Sequence, residues 1–327
     1  MRVPFNDLKA EFKRVLLKYK FPEHKAEICS KIYAENSLDG VYSHGLNRFP
    51  SFIKYIKDGL INIDAEPEKI TQAGVIEQWN GNKAPGMYVA AKAMERAIEI
   101  AKSTSAGIVA VKNTNHWMRG GTYGWQAANA GCIGLCSTNT IANMPPWGGA
   151  EARLGNNPLI IAIPHINGHV VLDMAISQYS YGKMQEYDLK NEPLPFAGGY
   201  DAEGKLTTNA KDIMKSKRSL PIGYWKGSGL SLVLDILVTS LSSGISTADI
   251  TRSGKEIGVS QVFIAINPMQ LNDSAINDIL AYTKSSTPVK EGESIRYPGE
   301  GTLLTRKQNL EKGIPVIEEI WEKVKEM

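Results

Sequence analysis

Ser43, His44 and Arg48 fall together in the stretch GVYSHGLNRFP, residues 40 to 50. An imidazole with an unperturbed pKa of about 6.5 can take up and deliver a proton near neutrality, and a guanidinium is a rigid fork suited to a carboxylate. A proton donor beside an anion anchor is what reduction of a 2-oxo acid needs. If Ser43 caps a helix, His44 and Arg48 stand four apart on one side of its first turns. The same spacing equally fits a capping histidine and a solvated helix charge, so by itself the motif leaves both readings open.

A second cluster, NTNHWMRGGTYGW, follows a strand-like run and opens a helix through a glycine pair. Glycines let backbone approach a ligand and helix starts favour anions, so His116, Arg119, Gly120 and Gly121 are candidates for a substrate or phosphate pocket. A tight turn with a hydrogen-bonded histidine is the plainer alternative. The long loop TNTIANMPPWGGAEARLGNNP has the length and rigidity of a functional loop, or of a proline-stiffened crossover. Asp173 interrupts the apolar run HVVLDMAIS; a carboxylate buried there needs a partner and could orient His44. Asp201 lies in the turn-like GGYDAEG.

No G-x-G-x-x-G occurs: GSGLSL and GEGTLL both lack the last glycine, which argues against a Rossmann cofactor site. P-loop, G-x-S-x-G and H-E-x-x-H patterns are absent too. Cys132 and Cys136 have no histidine pair near them, so core packing is the better reading and no metal is expected.

The elements that must hold these residues read as α/β. At 327 residues, 43% hydrophobic and 22% charged, the chain has ordinary globular composition. Lysines and arginines number 37 against 34 acids, interspersed, so no nucleic-acid partner is expected. Three cysteines imply no disulfide framework and favour a cytoplasmic location. The N-terminus reads as an amphipathic helix capped by Asn6 rather than a leader. Residues 5 to about 60 look helical, with Gly59 as a stop. GIVAVKN, GCIGLCSTN and QVFIAINP read as strands, and NPLIIAIP and HVVLDMAIS as a hairpin turning at HING. The apolar GLSLVLDILVTSLSSG is interrupted by Asp235 and too short to span a bilayer; a buried helix is expected, with no membrane role. The fold class is therefore α/β, with a mixed, largely antiparallel central sheet, flanking helices and a helical N-terminal region. The divisions expected are 1–60 helical, 61–145 with 226–327 as a mixed α/β body, and 146–225 as cofactor-binding strands and loops.

In chain order, DGVYSHGLNRFP, NHWMRGGTYGWQAA, MPPWGG, LGNNPLIIAIP, VLDMA, YWKGSG and RYPGE resemble the malate/L-lactate dehydrogenase family, whose nicotinamide fold is not a Rossmann fold. NHWMRGGTYGWQAA and GYWKGSG are most similar to members that reduce a ketone of a sugar-derived acid with NADH. The resemblance implies His44 as proton donor, flanked by Ser43 and Arg48, with Asp173 partnering the histidine and His116 and the glycine pair lining the pocket. It implies cofactor contacts from His169, Val170, Val171, Leu172, Asp173, Met174 and Ala175, from Trp225 and Lys226, and from Gly299, Glu300 and Gly301. It also implies NADH, with NADPH as the alternative, and a homodimer with the site near the subunit interface. Related members act on malate, lactate or other 2-hydroxy acids, or on cyclic imines. Outside that class, a non-redox sugar-acid binder or lyase would use the same His and Arg. Two positions depart from the family pattern: Ile176, where many members have threonine, and PGEG, where the similar reductases have Pro-Gly-His-Glu.

Overall fold

The computed structural model describes residues 1–327, the side chain of Leu189 excepted. A short strand β1 (Arg2–Val3) leads into helices α1 (Phe5–Lys18) and α2 (Glu23–Leu38); two 3-10 turns, Tyr42–His44 and Leu46–Arg48, then precede α3 (Phe49–Lys57). The start of α1 is set by Pro4, which has φ −58°, and no side chain caps it, so Asn6 is a first-turn residue and not the expected cap. Leu8, Phe12, Val15 and Leu16 recur on one face and are fully buried, as their spacing predicts. Phe12 and Phe49 lie 4.5 Å apart between ring centroids, and Tyr33 meets Phe49 edge-on at 5.0 Å. Because Phe49 directly follows Arg48, this aromatic core fixes the turns that carry His44 and Arg48.

The hairpin β2 (Glu68–Ala73) and β3 (Ile76–Asn80) is followed by α4 (Gly86–Thr104), which crosses to β4 (Ala106–Asn115). Next come α5 (Gly121–Asn129), β5 (Ile133–Thr138), β6 (Leu159–Ile163) and β7 (Val170–Met174). An excursion follows, made of α6 (Tyr181–Lys190), β8 (Gly199–Tyr200), β9 (Leu206–Thr207) and α7 (Ala210–Ser216). The chain then runs through α8 (Trp225–Ser242), α9 (Thr247–Ser253), β10 (Ile257–Ile266), α10 (Asp273–Lys284), α11 (Glu300–Lys312), β11 (Ile314–Pro315) and α12 (Glu318–Glu326).

Seven strands form one sheet in the order β2-β3-β4-β10-β5-β6-β7. β3 and β4 are parallel, joined by the α4 crossover, and the other neighbours pair antiparallel. This is the mixed, largely antiparallel α/β architecture expected. The hairpin of β6 and β7 pairs Ile163 with Val170 across the HING turn. β7 is an edge strand; Pro298 O accepts its Val171 N–H, and the Ile222 N–H donates to Ile176 O just past its end. β1 pairs with β11, so the two ends of the chain close the helical lobe.

α8 departs from expectation. Leu234 and Val238 are buried, but Leu232, Val233, Ile236 and Leu237 are 49%, 58%, 57% and 41% exposed. Its sequence is apolar around the whole helix, whereas the sheet covers one face, so the opposite face has no partner among the described residues. No single helix among the described residues is long and apolar enough to cross a membrane.

Candidate active site

His44 closes the first 3-10 turn and Arg48 the second. Ser43 does not cap a helix. α2 shapes this segment instead: Ser37 Oγ accepts the Leu46 N–H at 2.9 Å, and Asn36 Nδ2 donates to the His44 carbonyl at 3.0 Å. These bonds satisfy backbone groups that a continuous helix would have satisfied internally. Ser43 Oγ lies 3.0 Å from His44 Nδ1, which leaves Nε2 for a ligand. Asn36 is itself held by Thr122 Oγ1, which donates to its Oδ1 at 2.9 Å, so α5 steadies the histidine through α2.

His116 leaves the end of β4 and its ring stacks on that of His44, 5.8 Å between centroids at 19°. Its Nδ1 accepts the Met118 N–H at 3.0 Å, so the neutral ring carries its proton on Nε2. Met118 needs φ +66° to make that bond, a left-handed conformation that a non-glycine residue adopts at a cost. Burial, then the charges of Arg48 and His44, hold His116 well below the usual imidazole range. Arg48 and His116 line a small cavity with Phe52 and Tyr55. The structure thus brings together Ser43, His44, Arg48 and His116, as the sequence suggests.

The Arg119-Gly120-Gly121 segment does other work than lining an anion pocket. Arg119 is buried between two carboxylates: its Nη1 donates to Asp39 Oδ2 at 2.5 Å and its Nε to Asp173 Oδ2 at 3.0 Å. Arg306 Nε on α11 adds a bond to Asp39 Oδ1 at 2.6 Å, which extends the ion chain to α11. A Cβ on Gly120 would meet Ile160 Cδ1 at 2.3 Å, and one on Gly121 would meet Asp173 Oδ2 at 2.3 Å. Both glycines therefore serve close packing of α5 on the sheet. Asp173 does not directly orient His44. It is bonded to Arg119, its side chain is 24% exposed, and it acts on the imidazole through space.

Those charges compete at His44. Burial lowers its pKa to about 4; Asp173 opposes the shift, while Arg48 and Arg119 reinforce it.

The expected cofactor segments converge on the edge strand. Val171 N–H donates to Pro298 O at 2.9 Å, so the Pro298–Gly301 turn lies along β7. Gly299 adopts φ +98°, and a Cβ there would stand 3.0 Å from both His169 O and Val171 N, a contact that requires glycine. Glu300 is committed to the protein: Lys284 Nζ donates to Oε1 at 2.5 Å and the Tyr297 N–H to Oε2 at 3.3 Å. His169 is fixed between the His165 N–H, which it accepts at Nδ1, and Asn129. At the other end of β7, Ile222 N–H donates to Ile176 O at 2.9 Å, which brings Trp225 and Lys226 alongside. The N-terminus of α8 has no side-chain cap, Tyr224 before it holds φ +58°, and Trp225 is 62% exposed. An uncapped helix start with a lysine and an open aromatic face suits a ligand that carries both phosphate and flat rings.

Asp39, Arg306, Asn36 and Thr122 carry no local motif. Thr122 and Arg306 come from positions remote in sequence, and only the fold brings them to Asn36 and Asp39.

The family model described as malate/L-lactate dehydrogenase matches residues 3–325. A 2,3-diketo-L-gulonate reductase of Escherichia coli O127:H6 (strain E2348/69 / EPEC) is 46% identical over 330 residues, 99% of each chain. One from Pasteurella multocida (strain Pm70) is 46% identical over 333 residues, 100% of each chain. Among solved structures, malate dehydrogenase from Entamoeba histolytica is similar with a TM-score of 0.94 at 27% identity, over 100% of this chain and 96% of that one. Sulfolactate dehydrogenase from Methanocaldococcus jannaschii gives 0.88 at 31% identity, again over 100% and 96%. With a full-length family match, a shared fold and a converging polar site, the chain belongs to the malate/L-lactate dehydrogenase family.

Proposed function

We propose that the protein reduces a keto group of an open-chain sugar acid, of the 2,3-diketo-L-gulonate type, with NADH as the reductant and NADPH as the alternative. One observation carries the reading: His44, with Nε2 left for a ligand, stands beside Arg48 and His116 in a chain whose 46% identical relatives bear that reductase name. The nicotinamide, when bound, supplies a hydride to the keto carbon. Residues 169–175, Trp225 with Lys226, and Gly299 with Gly301 are the groups proposed to hold it; the backbone of Glu300 contributes, since its carboxylate is already engaged.

The side chains handle the rest. Arg48 takes the substrate carboxylate or the oxygens next to it. His116, neutral with its proton on Nε2, donates a hydrogen bond to the reacting oxygen and polarises the carbonyl without losing the proton. His44 passes its Nε2 proton to the oxygen as the carbon is reduced, and Ser43 fixes the ring through Nδ1. Burial is the main cause that holds His44 low and Arg48 adds to it; an anion seated on Arg48 offsets that added charge, so substrate binding favours the imidazolium.

The apolar outer face of α8 supports a homodimer, since four adjacent large side chains there are open to water. The three cysteines are free and buried, in keeping with a cytoplasmic enzyme.

NADH consumption measured with 2,3-diketo-L-gulonate, oxaloacetate, pyruvate and a cyclic imino acid separates the substrate classes. The reading predicts the highest kcat/KM for 2,3-diketo-L-gulonate; a higher value for oxaloacetate or the cyclic imine would replace it.

A further inference from the structure

We infer that Gly182 is a positioning residue for the proton donor: the first turn of α6 docks there on Ser43 and holds its hydroxyl against His44. The inference rests on the reading of His44 given above and adds to it a residue from a part of the chain that no motif marks.

α6 belongs to the excursion between β7 and α8, which has a small core of its own. Met184, Leu194, Ala210 and Ile213 are buried there, with Tyr179, Tyr181 and Tyr187 packed against them. The excursion leaves and returns by adjacent legs of chain: the Gln178 N–H donates to Leu220 O at 2.7 Å, and the Ile222 N–H to Ile176 O at 2.9 Å. Ser180 caps α6 by accepting the Lys183 N–H at 3.2 Å, which puts Gly182 in the first turn.

That turn meets the site. A Cβ on Gly182 would stand 2.4 Å from Ser43 Cβ and 2.9 Å from Ser43 Oγ, so the serine side chain fills the space in which any side chain at 182 would begin. Ser43 Cβ is one bond from the backbone, and no change of rotamer moves it aside. A methyl at 182 must therefore displace α6 or the 3-10 turn that carries Ser43 and His44. Ser43 Oγ lies 3.0 Å from His44 Nδ1, and in the imidazolium that nitrogen carries a hydrogen for the hydroxyl oxygen to accept. Seating α6 on Ser43 thus helps to hold the charged ring that delivers the Nε2 proton. Asp173, Arg48, Arg119 and the ring of His116 face His44 as well, but the three atoms nearest a Cβ at 182 all belong to Ser43.

The test is a double-mutant cycle of Gly182→Ala and Ser43→Gly, read as single-turnover oxidation of bound NADH by 2,3-diketo-L-gulonate across pH. Misplacing a catalytic group by about 1 Å costs on the order of 10²-fold in rate, so Gly182→Ala should lose about tenfold or more. The descending limb of its pH profile should move to lower pH, because the imidazolium loses an acceptor, while the NADH Kd stays within about twofold. Alanine favours a helix over glycine, so a weakened α6 would not explain that loss. Ser43→Gly removes the Cβ that the new methyl would strike, and in that background Gly182→Ala should cost less than about twofold. Equal losses in both backgrounds, or a Gly182→Ala variant with unchanged rate and pH limb, would overturn the inference. Should Gly182→Ala fail to fold, the double variant should fold, and its failure too would overturn the inference. Near-parent turnover in His44→Ala would instead overturn the reading of His44, and the two failures are thereby distinct.

Discussion

Burial takes the His44 imidazole down to about 4, against the pull of Asp173 and with the help of Arg48 and Arg119. The resting enzyme therefore holds His44 neutral near neutrality, although the ketone reduction proposed for it would consume its proton. Two consequences are measurable. First, kcat/KM for ketone reduction falls as pH rises, and the descent begins below the ordinary imidazole pKa of about 6.5. Second, binding of a 2-oxo-acid analogue such as oxamate to the NADH complex draws in a proton. Calorimetry in two buffers of different ionisation enthalpy should show that uptake in the parent and its loss in His44→Ala. No uptake in the parent would mean that the anion does not raise His44. Stability follows the same sign. Because the folded pKa values of His44 and His116 are depressed, their contribution is present above the unfolded value of about 6.5 and is lost as pH falls towards the folded one. The urea midpoint should drop on acidification through that window, and less in His116→Gln.

The ion chain from Arg306 through Asp39 and Arg119 to Asp173 links α11, α2, the start of α5 and β7. Removing its central cation leaves the buried Asp39 without its strongest partner. Arg119→Met should therefore cost about 3–5 kcal/mol in urea unfolding. A loss within about 0.5 kcal/mol, the range of an ordinary surface substitution, would show that the chain is not structural. Gly121→Ala places a methyl 2.3 Å from Asp173 Oδ2, so it should lower kcat by moving α5 off the sheet, while an alanine at the open Gly229 should not.

What was legible in the sequence divides along the same line. The hairpin of β6 and β7 and the stop at Gly59 follow from local period and turn chemistry, and the structure has them. The cluster of Ser43, His44 and Arg48 was visible because its members are neighbours in the chain. The helix expected around them was not found, because the bonds that bend the segment into 3-10 turns come from Asn36 and Ser37 on α2. Arg119 stands out in its own motif, but its partners, Asp39 and Asp173, are 80 and 54 positions away, and no local pattern points to them. Asn6 lost its capping role to Pro4, whose fixed φ already sets the helix start.

At the scale of the whole molecule, the outer face of α8 is the largest discrepancy between pattern and environment. An apolar helix was expected to be buried, and Leu232, Val233, Ile236 and Leu237 are exposed in the single chain. If that face is the dimer contact, sedimentation velocity should give a dimer for the parent and a monomer for Val233→Glu with Ile236→Lys. A parent that sediments as a monomer would remove the homodimer. α8 also begins with Trp225 and Lys226, so loss of the contact should weaken NADH binding more than it changes KM for the keto acid. The account as a whole turns on the proton held by His44. The most direct measurement is single-turnover oxidation of enzyme-bound NADH by 2,3-diketo-L-gulonate in His44→Ala. The predicted result is a rate lower by about 10² to 10⁴, with the NADH Kd within about twofold of the parent. Turnover within a few-fold of the parent would contradict it and assign the proton to another group.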